Sequence, residues 1–81
     1  MPTVKNIAGP YRLFFYSFDC NEPKHIHIQR ETLMCKFWLE PISLSHNRGF
    51  SPKELSAIRR IVETHRTKIV EAWHEHCGKH R

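Results

Sequence analysis

From Ser51 onward the chain carries a helix signal that limits what the rest of it can be. Ser51, Pro52 and Glu54 spell an S-x-x-E capping box with proline at the first helical position, and Phe50 stands where it can staple onto Leu55. Leu55, Ile58, Val62, His65, Ile69 and Trp73 then recur at helical spacing on one face, while Arg59, Arg60, Glu63, Lys68 and Glu71 occupy the others. Gly78 is a natural stop, so the pattern predicts one helix over about residues 52–77, roughly 39 Å long at the usual rise. An amphipathic helix of that length needs a sheet to cover its apolar face.

The residues before it supply strands. Thr3 to Ile7 reads as a short edge strand closed by the Gly9-Pro10 turn. Residues 11–18, from Tyr11 to Phe18, are apolar on both alternating sets apart from Arg12 and Ser17, as a central strand should be. After the polar connection Asp19-Cys20-Asn21-Glu22-Pro23, residues 25–31 alternate, with Ile26 and Ile28 facing inward and His25 and His27 sharing the opposite face. Glu31-Thr32 turns the chain into residues 34–40, which end at Pro41, and residues 42–47 read as irregular. The expected fold is α+β: three to four antiparallel strands in a meander, packed by one long C-terminal helix, in a single domain spanning 1–81. A domain this small should be only about 30 Å across. The helix is therefore expected to overhang and leave Trp73 for a second copy or another protein to cover, unless it is shorter or bent.

Composition narrows the function classes. Thirteen Lys and Arg against eight Asp and Glu give a net charge of +5, which suits a polyanion or an acidic protein as partner, or serves solubility alone. Cys20, Cys35 and Cys77 are odd in number and lack CxxC spacing, which suggests neither a disulfide framework nor a thiolate zinc site and points to a reduced, cytoplasmic protein. No apolar run approaches the roughly 18 residues of a membrane span, and MPTVKNIAGPYR lacks an apolar targeting segment. Neither membrane insertion nor secretion is expected.

The chemistry concentrates in EPKHIHIQ, residues 22–29. A His-x-His pair on a strand points both imidazoles to one face, close enough to share a metal ion if Glu22, Glu40 or His46 supplied a third ligand. The letters also approach the histidine strand of histidine-triad nucleotidyl transferases, but there the motif falls late in a longer chain. A third reading is metal-independent RNA cleavage without a cofactor: His25 and His27 act as acid and base, and Arg12, Arg30, Lys36 or Arg48 hold phosphate. Against all three stands a pair of exposed histidines on the wet face of a sheet. His65, inside the apolar stripe, reads as a structural histidine, and Arg48-Gly49 as a plain turn rather than an anion cradle. His74, His76, Cys77 and His80 read as a frayed basic tail, with adventitious zinc binding as the alternative.

Taken together, P-T-V-x-x-I, Y-R-L-F-F-Y-S, E-P-K-H-I-H-I, K-F-W-L-E-P, N-R-G-F-S-x-x-E-L and E-A-W-H-E resemble a family of small bacterial proteins catalogued only as a domain of unknown function. The resemblance runs from Pro2 to about Glu75. It implies a gene paired with that of another small protein, as in toxin–antitoxin modules, with this chain as the toxin and a cognate antitoxin-like protein as its partner. The family's recurrent residues fall on Glu22, Pro23, His25 and His27, on Asn47 to Phe50, and on Trp73. The resulting expectation is a ribonuclease-type toxin that binds RNA and assembles, as a homo-oligomer or a heterocomplex, through its C-terminal helix. The alternative is a non-catalytic nucleic-acid- or protein-binding module.

Overall fold

The structure is a computed structural model and describes residues 3–5, 7 and 9–78. Four antiparallel strands, β1 (Arg12–Phe14), β2 (His25–Arg30), β3 (Leu33–Leu39) and β4 (Ile42–Arg48), form one sheet in the order β1-β2-β3-β4. Helices α1 (Pro52–Thr64) and α2 (Arg66–Cys77) follow, and the one-turn 3-10 helix Asp19–Asn21 lies between β1 and β2. The α+β meander expected from the pattern is what forms.

Two-residue turns set the register. Arg30 pairs with Leu33 across Glu31-Thr32, where Glu31 takes the positive φ of 58° that such a tight hairpin requires. Leu39 pairs with Ile42 across Glu40-Pro41, a cis peptide. Pro41 therefore turns the chain back into the sheet, and residues 42–47, expected to be irregular, belong to β4. Their alternation, Ile42-Ser43-Leu44-Ser45-His46, is weakly apolar because β4 is an edge strand, and Leu44 is 42% exposed. A register shift opposite Lys36 and Phe37 sets Ser45 outside the pairing.

The aromatic run after Gly9-Pro10 keeps only three residues in the sheet. Past Phe14 the chain leaves β1: Phe15 is buried in the core, while Tyr16 stacks on Phe18 and meets His27 edge-on. Of the expected N-terminal strand, the described residues form one bridge, Thr3 to Phe14, with the Val4 amide donating to the Leu13 carbonyl. Residue 6 of that segment lies outside the described residues.

One sheet face carries Leu13, Ile26, Ile28, Cys35, Phe37 and Leu39 into a core closed by Ile58, Val62, Ile69 and Trp73. Fully burying an aliphatic side chain of this kind contributes about 1.5–3 kcal/mol, so these contacts are what hold the helices to the sheet. The entry to α1 is built from N-R-G-F. The Asn47 side chain accepts from the Phe50 amide and donates to the Phe50 carbonyl, closing a loop around Gly49 at φ 103°. A Cβ there would fall 2.5 Å from Leu33 Cδ2. Ser51 Oγ accepts from the Glu54 amide at 3.2 Å, as a cap should. The other half of the capping box is diverted: Glu54 accepts from Arg30 Nε and Nη2 and from the Tyr11 hydroxyl, each at 2.8 Å. That pairing clamps α1 to β2.

The single long helix is broken at His65, which sits at φ −105°, ψ 20°. Thr64 and His65 are weaker helix formers than their neighbours, and beyond them Arg66 donates to the Leu39 carbonyl and to Glu40. The break lets both halves face the core: Ile58 and Val62 from α1, then Ile69, Trp73 and Cys77 from α2. Trp73 is only 6% exposed, so no overhanging tryptophan is left for a partner to cover. His65 is half-buried at the kink, in keeping with a structural part. The cysteines also differ from expectation. Cys20 and Cys77, 57 positions apart, are joined in a disulfide with Cα atoms 5.5 Å apart, and Cys35 is the free, buried thiol. Local spacing could not announce a pair that only the packing of α2 beside the 3-10 helix brings together. Among the described residues no helix is long and apolar enough to cross a membrane.

Candidate functional site

The sheet face turned away from the core gathers most of the residues singled out from the sequence. Cross-strand partners share a face. Arg12 lies opposite Gln29, Gln29 opposite Met34, and Met34 opposite Arg48. In the next row Phe14 lies opposite His27, His27 opposite Lys36, and Lys36 opposite His46. Arg12, Lys36 and Arg48 therefore stand on the face that bears His25 and His27. Arg30 does not: it points with Ile26 and Ile28 and is committed to Glu54. Beside His27 the surface dips into an open groove of about 530 Å³, lined by Tyr16, His27, Met34, Lys36, His46 and Arg48 among others.

The cations of this face differ in how firmly they are held. Lys36 lies 4.5 Å from the centroid of the Trp38 ring and pairs with Glu22 at 2.8 Å. That pair keeps the Glu22 carboxyl below its ordinary pKa. Arg12 covers the Phe14 ring at 4.8 Å and makes one long contact with Thr3. Arg48 is exposed at the groove.

At the end of the row the histidines are not bare surface. His25, the first residue of β2, is fully enclosed, with Trp38, Trp73 and His27 around its ring at centroid distances of 5.6, 5.2 and 5.1 Å. The His27 side chain keeps 12% of its surface exposed, stacked on Phe14 and edge-on to Tyr16. Between them stands Asp19, only 4% exposed, whose Oδ2 is 3.1 Å from the Nε2 of each histidine and accepts from the Tyr16 amide at 2.8 Å.

The hydrogen bonds fix tautomers. A carbonyl can only accept, so His25 Nδ1–H donates to the Pro23 carbonyl at 2.8 Å. An ionised carboxylate can only accept, so His27 Nε2–H donates to Asp19, which leaves His27 Nδ1 with its lone pair and without a partner among the described residues. Burial lowers the pKa of the His27 imidazole below its ordinary value, with Asp19 pulling the other way, so the ring is neutral near pH 7.

This arrangement can do two things. An accessible neutral imidazole oriented by a buried carboxylate can accept a proton from a bound hydroxyl, with neighbouring cations stabilising charge on a phosphate. Asp19, His25 and His27 also offer three ligand atoms within 4.8 Å of one another, a spacing a metal ion could use. Cys20, His76 and Cys77 form a second such group, but its sulfurs are joined to each other and His76 bonds the Tyr16 carbonyl. His80 of the same tail lies outside the described residues.

The ligand candidates read from the sequence are placed elsewhere. Glu40 pairs with Lys24 and Arg66, His46 on β4 lies opposite Lys36 with its Nδ1 2.8 Å from Ser45 Oγ, and Glu22 approaches Nδ1 of His25 at 3.7 Å. The carboxylate that joins the pair is Asp19, which the sequence reading passed over as part of a connection. A carboxylate six residues before a His-x-His strand was the available signal.

The fold and site define a small α+β domain with a cationic open sheet face ending in a buried Asp-His-His cluster. The chain belongs to the DUF4160 family, a domain of unknown function, whose profile matches residues 11–74. No curated protein and no solved structure matches it. Asp19, His25 and His27 lie inside the matched span, while Cys77 lies beyond it.

Proposed function

We propose that this protein is an RNA-directed toxin of a two-gene module, cleaving phosphodiesters without a metal, with His27 as the proton-accepting group. The observation that carries the reading is the Asp19–His27 pair at the end of a face bearing Arg12, Lys36 and Arg48. The cations hold the sugar-phosphate backbone and Lys36 stabilises charge on the phosphoryl oxygens; His27 Nδ1 takes the proton of a 2′-hydroxyl as it attacks the adjacent phosphorus, the bond to the 5′-oxygen breaks to leave a 2′,3′-cyclic phosphate, and the departing oxygen takes its proton from water. Asp19 holds the His27 tautomer and offsets the charge that forms on the ring. His25 is enclosed and acts as a positioning residue through Asp19 rather than as a second accessible acid. On the family resemblance, the partner is a cognate antitoxin-like protein. The toxin assignment draws on the resemblance of the E-P-x-H-x-H and N-R-G-F segments.

A binding module without turnover is the second reading, favoured by the enclosure of Asp19 and His25, which also suits a purely structural cluster. Expression in bacterial cells of the wild type and of His27→Ala, with growth and RNA integrity followed, separates the two. Growth arrest with RNA loss from the wild type alone supports the toxin. Equal behaviour of the two proteins removes His27 from the mechanism.

A further inference from the structure

His25 Nε2 is a buried polar atom with no hydrogen-bond partner among the described residues, although Asp19 Oδ2 lies 3.1 Å away. Its Nδ1–H is committed to the Pro23 carbonyl, so in the neutral ring Nε2 carries a lone pair that no donor among the described residues meets. An unpaired buried polar group of this kind, here walled by Trp38 and Trp73, costs about 1–3 kcal/mol. A proton on Nε2 would not restore a hydrogen bond, because the contact has the distance of one without the alignment. A cation standing off the line between the atoms, and reached by His27 Nε2 as well, satisfies all three.

We infer that Asp19, His25 and His27 form a binding site for one Zn²⁺-like divalent transition ion, with His25 Nε2, His27 Nε2 and Asp19 Oδ2 as ligands. The dimensions agree. Zinc takes imidazole nitrogen and carboxylate oxygen at about 2.0–2.2 Å, which places tetrahedral ligands roughly 3.3–3.6 Å apart. The carboxylate oxygen is 3.1 Å from each nitrogen, and all three atoms lie within 4.8 Å of one another. The surroundings agree too: a ligating histidine characteristically donates its other N–H to a carbonyl, as His25 does to Pro23, and Asp19 is held by the Tyr16 amide. Three protein ligands leave a fourth position for water. The ion takes the Nε2 lone pair of His27, which requires the ring proton to sit on Nδ1 instead, so the loaded ring has no lone pair left to act as a base. On the proposed cleavage reading, Zn²⁺ therefore switches cleavage off; the binding itself does not depend on that reading.

The test uses the full chain with its disulfide intact. After equilibration with Zn²⁺ and dialysis, elemental analysis should find one ion per chain. Co²⁺ should give the visible spectrum of a nitrogen- and oxygen-ligated tetrahedral site without a thiolate charge-transfer band. His25→Gln and Asp19→Asn, each removing a ligand, should weaken binding by no less than the roughly 10–100-fold that loss of an outer-shell partner costs. His74→Gln/His76→Gln should leave it unchanged. A zinc-dependent rise in the wild-type Tm supplies a readout that needs no variant. Sub-stoichiometric metal, a thiolate band, or binding that follows the tail histidines would overturn the site. Cleavage is assayed separately, in chelator and then with Zn²⁺. Stoichiometric zinc with no cleavage in chelator sinks the ribonuclease reading and spares the site, whereas cleavage without zinc binding does the reverse.

Discussion

Asp19 Oδ2 and His27 Nε2 stand 3.1 Å apart, joining a single 3-10 turn to the second strand of the sheet. If this contact sets the tautomer of His27, Asp19→Asn should leave the chain folded and lower the initial rate of RNA cleavage by about 10²–10⁴-fold, the range general-base catalysis supplies. Circular dichroism checks the fold, and a rate within about threefold of wild type would detach Asp19 from the chemistry.

The cationic face makes a separate prediction about binding. Arg12→Ala, Lys36→Ala and Arg48→Ala should each reduce the slope of log affinity for single-stranded RNA against log salt by roughly 0.7. Arg30→Gln should leave that slope unchanged, because Arg30 lies on the core side and is tied to Glu54. A slope that responds to Arg30 as it does to Arg48 would mean that RNA uses another surface.

The clamp between β2 and α1 gives a pH dependence. Hydrogen bonds from Arg30 and Tyr11 hold the Glu54 carboxyl below its ordinary value of 4.5. A depressed folded-state pKa contributes stability that is fully present above the unfolded value and is lost as pH falls through the folded one. Urea midpoints measured from pH 6 to pH 3 should fall less steeply for Glu54→Gln than for the wild type. Parallel curves would show that the clamp contributes nothing to acid lability.

Gly49→Ala should destabilise by about 1–3 kcal/mol, since alanine is strained at φ 103° even where Leu33 can swing aside. Chemical denaturation measures it. No loss would mean that the loop re-forms with another backbone geometry.

Thiol titration checks the disulfide. The denatured, unreduced chain should show one thiol, and the native chain none reactive, because burial pushes the Cys35 pKa up to about 12. Reduction should lower stability by about 2–4 kcal/mol, given the long loop that the Cys20–Cys77 link closes. Three titratable thiols in the unreduced denatured chain would rule the link out.

Which parts of this were legible in the sequence follows from how local each signal is. Alternation around Ile26 and Ile28, the helical stripe, and the Ser51 cap are determined within a few residues, and each appears in place. The turn at Pro41 hid β4, because proline ends a strand as readily as it reverses one. The break at His65 depends on Arg66 reaching Leu39 and Glu40, contacts across 26 and 27 positions. His25 and His27 stood out as a pair because their spacing is two. Asp19 did not, since its distance from them is set by how Phe15 and the aromatics after it leave the sheet. Arg30 was grouped with Arg12, Lys36 and Arg48 by charge alone, and only the register separates them.

The most direct test incubates purified protein with single-stranded RNA in chelator, across pH 5 to 8, and compares wild type with a His27→Ala variant of matched Tm. The account predicts cleavage by the wild type and intact RNA with the variant. RNA left intact by the wild type, or cut equally by both, would contradict it.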